Sequence, residues 1–297
     1  MVRIEFLPLD RFIDIHREYS SMENQKEETC GVYALTYILR GLGYRRYNDI
    51  DVDEDYLSYL AKTRISQEEE NLRKDVLVKI LYGELNIKEA KEKYYKILRK
   101  YELPITNNPV ELGTSAEGVK YVLEFITNGE LIGIPIPSRH GNDVYFTEDK
   151  FSRLVEILIN NIDKWKYQAI LNLQTKKLVN MISPFHDIFL TLFSRDPLMS
   201  IGPSPWQVGH FVSLAGFIRV YDEEVRTYFL IRDSYKSAGY MGYHVQPINA
   251  VREALVRDDG REGGILLIVR REIAGEVERE IKSIGLPIGL WNNGTPF

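Results

Sequence analysis

Five short apolar runs have the composition of β-strands, and longer stretches separate most of them. The predicted strands are Leu131–Ile136, Gln168–Leu173, Phe211–Val220, Arg226–Ile231 and Gly264–Arg270. Between the first two lies Phe151–Ile162, which is predicted to be a helix. The turn-prone acidic segment Asp222–Glu224 separates the third run from the fourth and predicts a β-hairpin. This alternation favours an α+β or α/β core.

The chain is long and apolar enough for one large domain that carries insertions. It has 297 residues, of which 44% are hydrophobic, so we predict a single domain over residues 1–297. Amphipathic segments rich in Glu, Lys and Arg predict a helical insertion at 53–104. The apolar segment 175–208 is interpreted as an insertion or flap. Its apolar residues either pack against the domain, control the access of substrate to the site, or contact another protein. The Gly-, Pro- and Asn-rich residues 283–297 predict an irregular or loosely packed C-terminal tail.

The charge and the hydropathy pattern narrow the class of partner. A formal net charge of −5 supplies no basic field, so nucleic acid is not an expected partner. The N-terminus lacks the apolar core of a secretory signal. The longest apolar stretches reach only about a third of the roughly 20 residues that cross a bilayer. We therefore expect a soluble, cytoplasmic protein with no membrane partner, and the sequence leaves its oligomeric state open.

The chain contains one cysteine, and it begins a predicted helix. After Cys30, apolar residues recur at helical spacing at Val32, Leu35, Ile38 and Leu39. A helix N-terminus carries positive potential, which favours a thiolate over a thiol. A buried structural cysteine is the alternative interpretation, because free cysteines are commonly buried and inert. The surrounding residues must decide between the two.

A histidine and an aspartate flank the predicted hairpin. His210 begins its first strand and Asp233 follows its second, so folding about Glu223 brings His210 opposite residues near 236. Asp233 then lies within reach of the imidazole. A carboxylate that holds one ring nitrogen while the other faces a thiol is the arrangement of a base-activated nucleophile. Taken singly, His210 also fits a structural histidine and Asp233 a turn residue.

Acyl transfer needs a hydrogen-bond donor for the developing oxyanion. The backbone amide of Cys30, at a helix start, can act together with the side-chain amide of Gln25 or Asn24. Either side chain also fits an ordinary loop residue. The remaining histidines are scattered without metal-ligand spacing, so we predict no metal and no organic cofactor. These histidines are His16, His140, His186 and His244.

Five stretches, in this order, resemble the papain-like cysteine peptidases, closest to the bacteriocin-processing peptidases that cut double-glycine leaders. They are NQKEETCGVYALTYIL, LGTSAEGVKYVLEFI, YQAILNL, GHFVSLAGF and LIRDSYKSAGY. The resemblance implies an α+β fold in which an N-terminal catalytic helix packs on an antiparallel sheet, with helical insertions. Independently of the resemblance, Trp206 and Gly209 predict a tight loop with an aromatic wall before His210, and with Gly31 they are the candidates for lining the substrate cleft. Asn24 stands where that family usually has its oxyanion glutamine, and Gln25 follows it.

The leading hypothesis is a thiol peptidase or amidase that acts on a peptide or protein substrate. Cys30 would be the nucleophile, His210 the base and Asp233 the residue that orients the base. An acyl-transferase or peptide ligase would use the same three residues and pass the acyl group to an amine or thiol. A catalytically inactive papain-like module that binds an extended peptide is the third possibility.

Overall fold

A computed structural model describes residues 2–179 and 206–297. Thirteen strands are found in these ranges, numbered here in chain order. The strands are β1 Arg3–Pro8, β2 Arg46–Tyr47, β3 Ile50–Asp51, β4 Ile65–Ser66, β5 Ile105–Thr106, β6 Leu131–Pro137, β7 Arg139–His140, β8 Asp143–Val144, β9 Gln168–Gln174, β10 Gly209–Tyr221, β11 Val225–Arg232, β12 Tyr243–Pro247 and β13 Gly264–Arg270.

Ten α-helices lie in the same two ranges, with short 3-10 turns at Pro109–Glu111 and Thr175–Lys177. The helices are α1 Phe12–Ser21, α2 Cys30–Gly41, α3 Glu54–Leu60, α4 Gln67–Leu81, α5 Ile87–Tyr94, α6 Ala116–Ile126, α7 Glu148–Asn160, α8 Ile162–Trp165, α9 Ile248–Val256 and α10 Arg271–Ser283. None of the described helices is both long and apolar enough to cross a membrane.

One seven-stranded sheet forms the centre of the fold. Its strands run in the order β12, β11, β10, β9, β13, β6, and β1 also pairs with β10. Every pairing within this sheet is antiparallel. The long strand β10 pairs with β9 along its first half and with β1 along its second half. The chain therefore has an α+β fold built on an antiparallel sheet.

Helices cover both faces of this sheet. On β10, Phe211 packs into the core that contains α2, whereas Val212 packs into the core on the opposite face. This alternation follows from the two-residue period of a strand. The helix α2 is buried along nearly its whole length. Its N-terminus, and with it Cys30, is thereby fixed against the middle of the sheet.

The predicted strands and the hairpin are confirmed, with small differences in their bounds. Strands β10 and β11 pair from Tyr221 with Val225 to Ser213 with Arg232, with a bulge between Leu214 and Gly216. The predicted helix Phe151–Ile162 is divided into α7 and the short helix α8. Three helices, α3 to α5, occupy most of residues 53–104, where amphipathic helices were expected.

The two ends of the chain hold elements that the apolar pattern did not indicate. At the N-terminus these are β1 and α1, and at the C-terminus β12, α9 and α10. Residues 284–297 form neither helix nor strand, which agrees with the predicted irregular backbone. They are not loosely packed, which was the other expected form. Trp291 is only 5% exposed, and its indole nitrogen donates to Oδ1 of Asn172 at 2.9 Å. Of the predicted insertion 175–208, residues 180–205 lie outside the described part of the chain.

Candidate active site

Cys30 is the first residue of helix α2, and its side chain is partly exposed. The backbone amides in the first turn of a helix have no partner within the helix, so their N–H groups are available to other acceptors. The backbone N–H of Phe211 on β10 donates to Sγ of Cys30 at 3.5 Å. A hydrogen bond donated to sulfur stabilises the thiolate relative to the thiol. The sulfur thus lies where the helix end meets the sheet.

His210 and Asp233 meet at the open end of the β10–β11 hairpin. The last pair of that ladder is Ser213 with Arg232, and the chain leaves it at Asp233. Nε2 of His210 lies 3.1 Å from Oδ1 of Asp233. His210 is 2% exposed and Asp233 is fully buried. Cys30 Sγ accepts from the backbone N–H of Phe211, the residue after His210, and Cys30 contributes to the electrostatics of His210, so the structure brings all three predicted residues close together.

Their electrostatics follow from this burial and pairing. Burial alone would lower the pKa of His210, but the charge and hydrogen bond of Asp233, with a smaller contribution from Cys30, raise that pKa to about 10. Burial alone would raise the pKa of Asp233, but His210, and to a lesser extent His244, hold that pKa well below its usual range. At neutral pH the pair is therefore an imidazolium and a carboxylate, and a cationic imidazole favours a neighbouring thiolate.

The two candidate oxyanion donors have different surroundings. Gln25 is buried, its Oε1 accepts a hydrogen bond from Ser234 Oγ, and its Nε2 donates to the Tyr235 hydroxyl at 3.2 Å. Ser234 Oγ also lies 3.3 Å from Nε2 of His210, and the Tyr235 ring stacks on the His210 ring with centroids 5.8 Å apart. Gln25 therefore belongs to the network around His210.

Asn24 points towards a different part of the loop. Its Oδ1 accepts from the backbone N–H of Lys236 at 2.8 Å, and its backbone carbonyl accepts from the Tyr95 hydroxyl at 2.7 Å. No described contact joins the Asn24 side chain to Cys30 or His210. Of the two candidates, only Gln25 is tied to the histidine.

The loop that precedes Cys30 is anchored by a buried carboxyl group from α3. Glu54 Oε1 accepts from the backbone N–H of Lys26 at 2.7 Å and from the hydroxyl of Thr29, the residue just before the helix. Lys26 also pairs with Asp55 at 2.6 Å. Burial raises the pKa of Glu54 to about 7, against the opposing effect of these hydrogen bonds. Residues of the predicted insertion therefore hold the nucleophile loop in place.

The three predicted cleft residues differ in what they contact. Trp206 lies beside His210, with ring centroids 4.9 Å apart, and helps to line a cavity of about 270 Å³. Gly31 instead is buried, and a Cβ there would lie 3.0 Å from Val119 and 3.3 Å from Phe211. The core thus fills the space into which a side chain at position 31 would point, and the place of Gly31 in the substrate cleft stays a prediction.

Gly209 allows a buried arginine side chain to pack against the backbone. A Cβ at this position would lie 2.7 Å from a guanidinium nitrogen of Arg257, a residue that is only 3% exposed. The absent side chain of Gly209 thus makes room for a buried arginine that pairs with Asp259 at 2.6 Å. Gly209 is itself partly exposed, and its place in the substrate cleft stays a prediction.

Three residues that the sequence did not single out also contribute. Tyr235 stacks on His210, Glu54 holds the loop before Cys30, and His244 Nε2 lies 3.5 Å from Oδ2 of Asp233. For Tyr235 the signal was its position two residues after Asp233, in the segment LIRDSYKSAGY. For Glu54 and His244 the local sequence gives no such signal.

Within residues 2–179 and 206–297, no three His, Cys, Asp or Glu side chains converge in a way that could hold a metal ion. Comparison with protein families gives one finding: a family of unknown function (DUF6885) matches the chain over residues 9–292. No curated protein matches the chain.

Proposed function

We propose that this chain, which belongs to the family of unknown function DUF6885, is a papain-like cysteine peptidase or amidase. The observation that carries the proposal is the position of His210 between a buried aspartate, 3.1 Å away, and the partly exposed cysteine at a helix N-terminus. The packing of α2 on an antiparallel sheet and the chain order Cys, His, Asp support a papain-like fold.

The first chemical step is acylation of Cys30. Its thiolate attacks the carbonyl carbon of a peptide or amide bond and forms a C–S bond. His210, which is protonated in the resting pair, gives its proton to the departing amine as the C–N bond breaks. Because Nε2 of His210 is engaged by Asp233, Nδ1 is the nitrogen that exchanges this proton. The products of the step are a free amine and a thioester on Cys30.

Water completes the cycle. Neutral His210 takes a proton from the water, whose oxygen attacks the thioester carbon. The C–S bond then breaks, which releases a carboxylic acid and restores the thiolate and the imidazolium. Asp233 stays ionised throughout and holds the ring in one orientation. No metal or organic cofactor takes part in these steps.

The oxyanion of each tetrahedral intermediate requires donors close to the sulfur. We assign this role to the backbone N–H of Cys30 and to Nε2 of Gln25. The assignment of Gln25 over Asn24 rests on its link to His210 through Ser234 and Tyr235. In the resting state the Gln25 amide donates to the Tyr235 hydroxyl. Bound substrate would take over that hydrogen bond.

A screen with a mixed peptide library, read by mass spectrometry, tests the proposal. The parent protein is expected to generate new peptide termini, and a mass adduct on Cys30 is expected with slowly released substrates. Cys30→Ala and His210→Ala should generate neither. Cleavage that persists in Cys30→Ala would contradict the proposal, as would a library that leaves the parent protein without products or adduct.

The same screen separates hydrolysis from acyl transfer. An amine such as glycinamide is added at millimolar concentration. If it is found covalently joined to the products, the acyl-enzyme passes its acyl group to amines, and the transferase alternative gains support. If the parent protein binds peptides and Cys30→Ala binds them equally well, but no product forms, the chain acts as a peptide-binding module.

A further inference from the structure

The Asp233 carboxylate has two sides, and only one of them faces His210. Its Oδ1 is 3.1 Å from Nε2 of His210 and accepts from the backbone N–H of Tyr235 at 2.9 Å. Its Oδ2 is buried and has no hydrogen bond of normal length to any of the described residues. A buried carboxylate oxygen without a donor is costly. A donor for Oδ2 would therefore hold the carboxylate in its position.

His244 is the side chain placed to supply that donor. It lies on β12 opposite Ile231 of β11, so Asp233, two residues beyond Ile231, is its diagonal neighbour on the same face of the sheet. His244 is fully buried, and its Nε2 lies 3.5 Å from Oδ2 of Asp233. That distance is longer than the roughly 2.7–3.2 Å typical of an N–H···O hydrogen bond, so a small shift of either side chain would complete the contact. Whether the contact is useful depends on which ring nitrogen carries the proton.

The tautomer of His244 is set by Gln246, two residues further along the same strand. The Gln246 amide is oriented by the backbone of Val179, because Oε1 accepts from the Val179 N–H at 2.8 Å and Nε2 donates to the Val179 carbonyl at 2.6 Å. A backbone N–H can only donate and a carbonyl can only accept, so this pairing admits one orientation of the amide.

The same Gln246 NH₂ group lies 3.0 Å from Nδ1 of His244. Because an NH₂ group is a donor only, Nδ1 of His244 must accept and therefore carries no proton. The single proton of the neutral ring is then on Nε2, the nitrogen that faces Asp233. The backbone of Val179 thus orients the Gln246 amide, which in turn fixes the tautomer of His244. As a result, the Nε2–H group of His244 points at Asp233.

We propose that His244 is a positioning residue of this site, which donates its Nε2–H to Oδ2 of Asp233 and thereby holds Oδ1 against His210. The effect of His244 on catalysis rests on the proposed function. The hydrogen-bond relay itself runs from Val179 through Gln246 and His244 to Asp233 and does not depend on any substrate. Each oxygen of the Asp233 carboxylate then accepts a hydrogen bond from a histidine, Oδ1 from His210 and Oδ2 from His244.

Long-range ¹H–¹⁵N NMR of the histidine rings in the parent protein at pH 7 tests the relay directly. The His244 signals are assigned by their loss in His244→Gln. We expect a ring protonated at Nε2 and unprotonated at Nδ1. A ring protonated at Nδ1, or at both nitrogens, would overturn the proposal. This result does not depend on whether the protein cleaves anything, so its failure differs from failure of the proposed function.

Matched substitutions test the effect on Cys30. His244→Phe removes the N–H group at similar volume, and His244→Gln puts an amide N–H near the position of Nε2. Loss of a hydrogen bond to a charged group corresponds to roughly a tenfold effect or more. We therefore expect alkylation of Cys30 at pH 6 to slow about tenfold in folded His244→Phe and to recover to within about threefold of the parent in His244→Gln.

Thermal unfolding of both variants separates positioning from packing. If the two variants lose similar stability and alkylate Cys30 at the same rate as the parent, His244 has only a structural role and the proposal is wrong. If His244→Gln fails to recover the rate while His244→Phe slows it, the contribution is not a donated N–H, and the proposal is also wrong.

Discussion

The two sides of the candidate site are held by different kinds of interaction. The histidine arm, defined here as β10, β11 and Asp233, is held by a main-chain ladder that has one bulge and ends one pair short of Asp233. The cysteine arm, residues 24–30, is not part of a strand. It is held by side chains, among them Glu54 from α3 and Ser234 beyond the hairpin, and by two backbone hydrogen bonds, from Gln25 N–H to the Ser234 carbonyl at 3.3 Å and from Glu27 N–H to the Lys96 carbonyl at 3.0 Å. The histidine arm is therefore held mainly by a β-ladder, whereas the cysteine arm is held by separate side-chain and backbone contacts.

This difference suggests a division of roles. A ladder fixes the base and its aspartate independently of any single side chain, as a buried charged pair requires. A loop anchored by a few side chains can shift slightly when substrate displaces a contact such as that between Gln25 and Tyr235. Substitutions in the two arms should therefore differ in kind: those in the histidine arm should cost stability, and those in the cysteine arm should chiefly cost turnover.

The largest expected effect is that of Asp233→Ala in the histidine arm. Removal of the Asp233 carboxylate leaves the His210 imidazolium buried without its counter-charge, which should lower the free energy of unfolding by about 3–5 kcal/mol. Urea unfolding at pH 7 would measure this loss. The matched control is Asp149→Ala, which breaks an exposed pair with Arg153 and should cost less than about 1 kcal/mol. Equal losses in the two variants would remove the contrast between the arms.

The next largest effect concerns the cysteine arm and is on turnover. Gln25→Ala removes an oxyanion donor, so kcat/KM for a peptide found in the library screen should fall about a hundredfold or more. Asn24→Ala should lower kcat/KM less than about tenfold, because the described hydrogen bonds of Asn24 go to Lys236 and Tyr95 and not to Cys30 or His210. Thermal unfolding of both variants controls for folding. A larger loss in Asn24→Ala would reverse the assignment.

A smaller effect is expected from the anchor of the cysteine arm. Glu54→Ala leaves the Lys26 amide and the Thr29 hydroxyl without this buried acceptor, which should cost about 1–3 kcal/mol. Glu54→Gln keeps an acceptor oxygen and should cost less. Urea unfolding of the two variants at pH 6 would measure the difference.

Glu54 also gives the cysteine arm a dependence on pH. The pKa of Glu54 is raised from 4.5 to about 7 in the folded chain, so the native state holds this proton more tightly than the unfolded state does. Its contribution to stability is fully present below about pH 4.5 and is lost as the pH rises through about 7. The stability of Glu54→Gln relative to the parent should therefore rise between pH 5 and pH 8. A difference that stays constant with pH would contradict this expectation.

The same contrast explains which parts of the site the sequence could predict. His210 and Asp233 were predictable because a local turn at Asp222–Glu224 fixes the hairpin, and its register then places both residues. Cys30 was predictable because the helix that it begins has a clear apolar face. The fold class followed from the order of strand-like and helical segments, each of which is a local pattern.

The contacts of the cysteine arm and of His244 could not be predicted, because they join segments far apart in the chain. Glu54 reaches the loop across 28 residues, and His244 reaches Asp233 only through the pairing of β12 with β11. The packing of the C-terminal tail could not be predicted for a related reason. Its Gly, Pro and Asn content correctly indicated irregular backbone but says nothing about packing, which Trp291 provides through Asn172.

The most direct test of the account is the rate at which iodoacetamide alkylates Cys30 at pH 6, compared between the parent protein and folded His210→Ala. The single cysteine makes the modified residue unambiguous, and no substrate is needed. An ordinary thiol is almost wholly protonated at pH 6 and reacts slowly. We expect the parent to react about a hundredfold faster than His210→Ala at pH 6, a larger effect than that of His244→Phe, with a smaller difference at pH 9.5. Equal rates at pH 6 would contradict an activated Cys30–His210 pair and leave Cys30 as a structural cysteine.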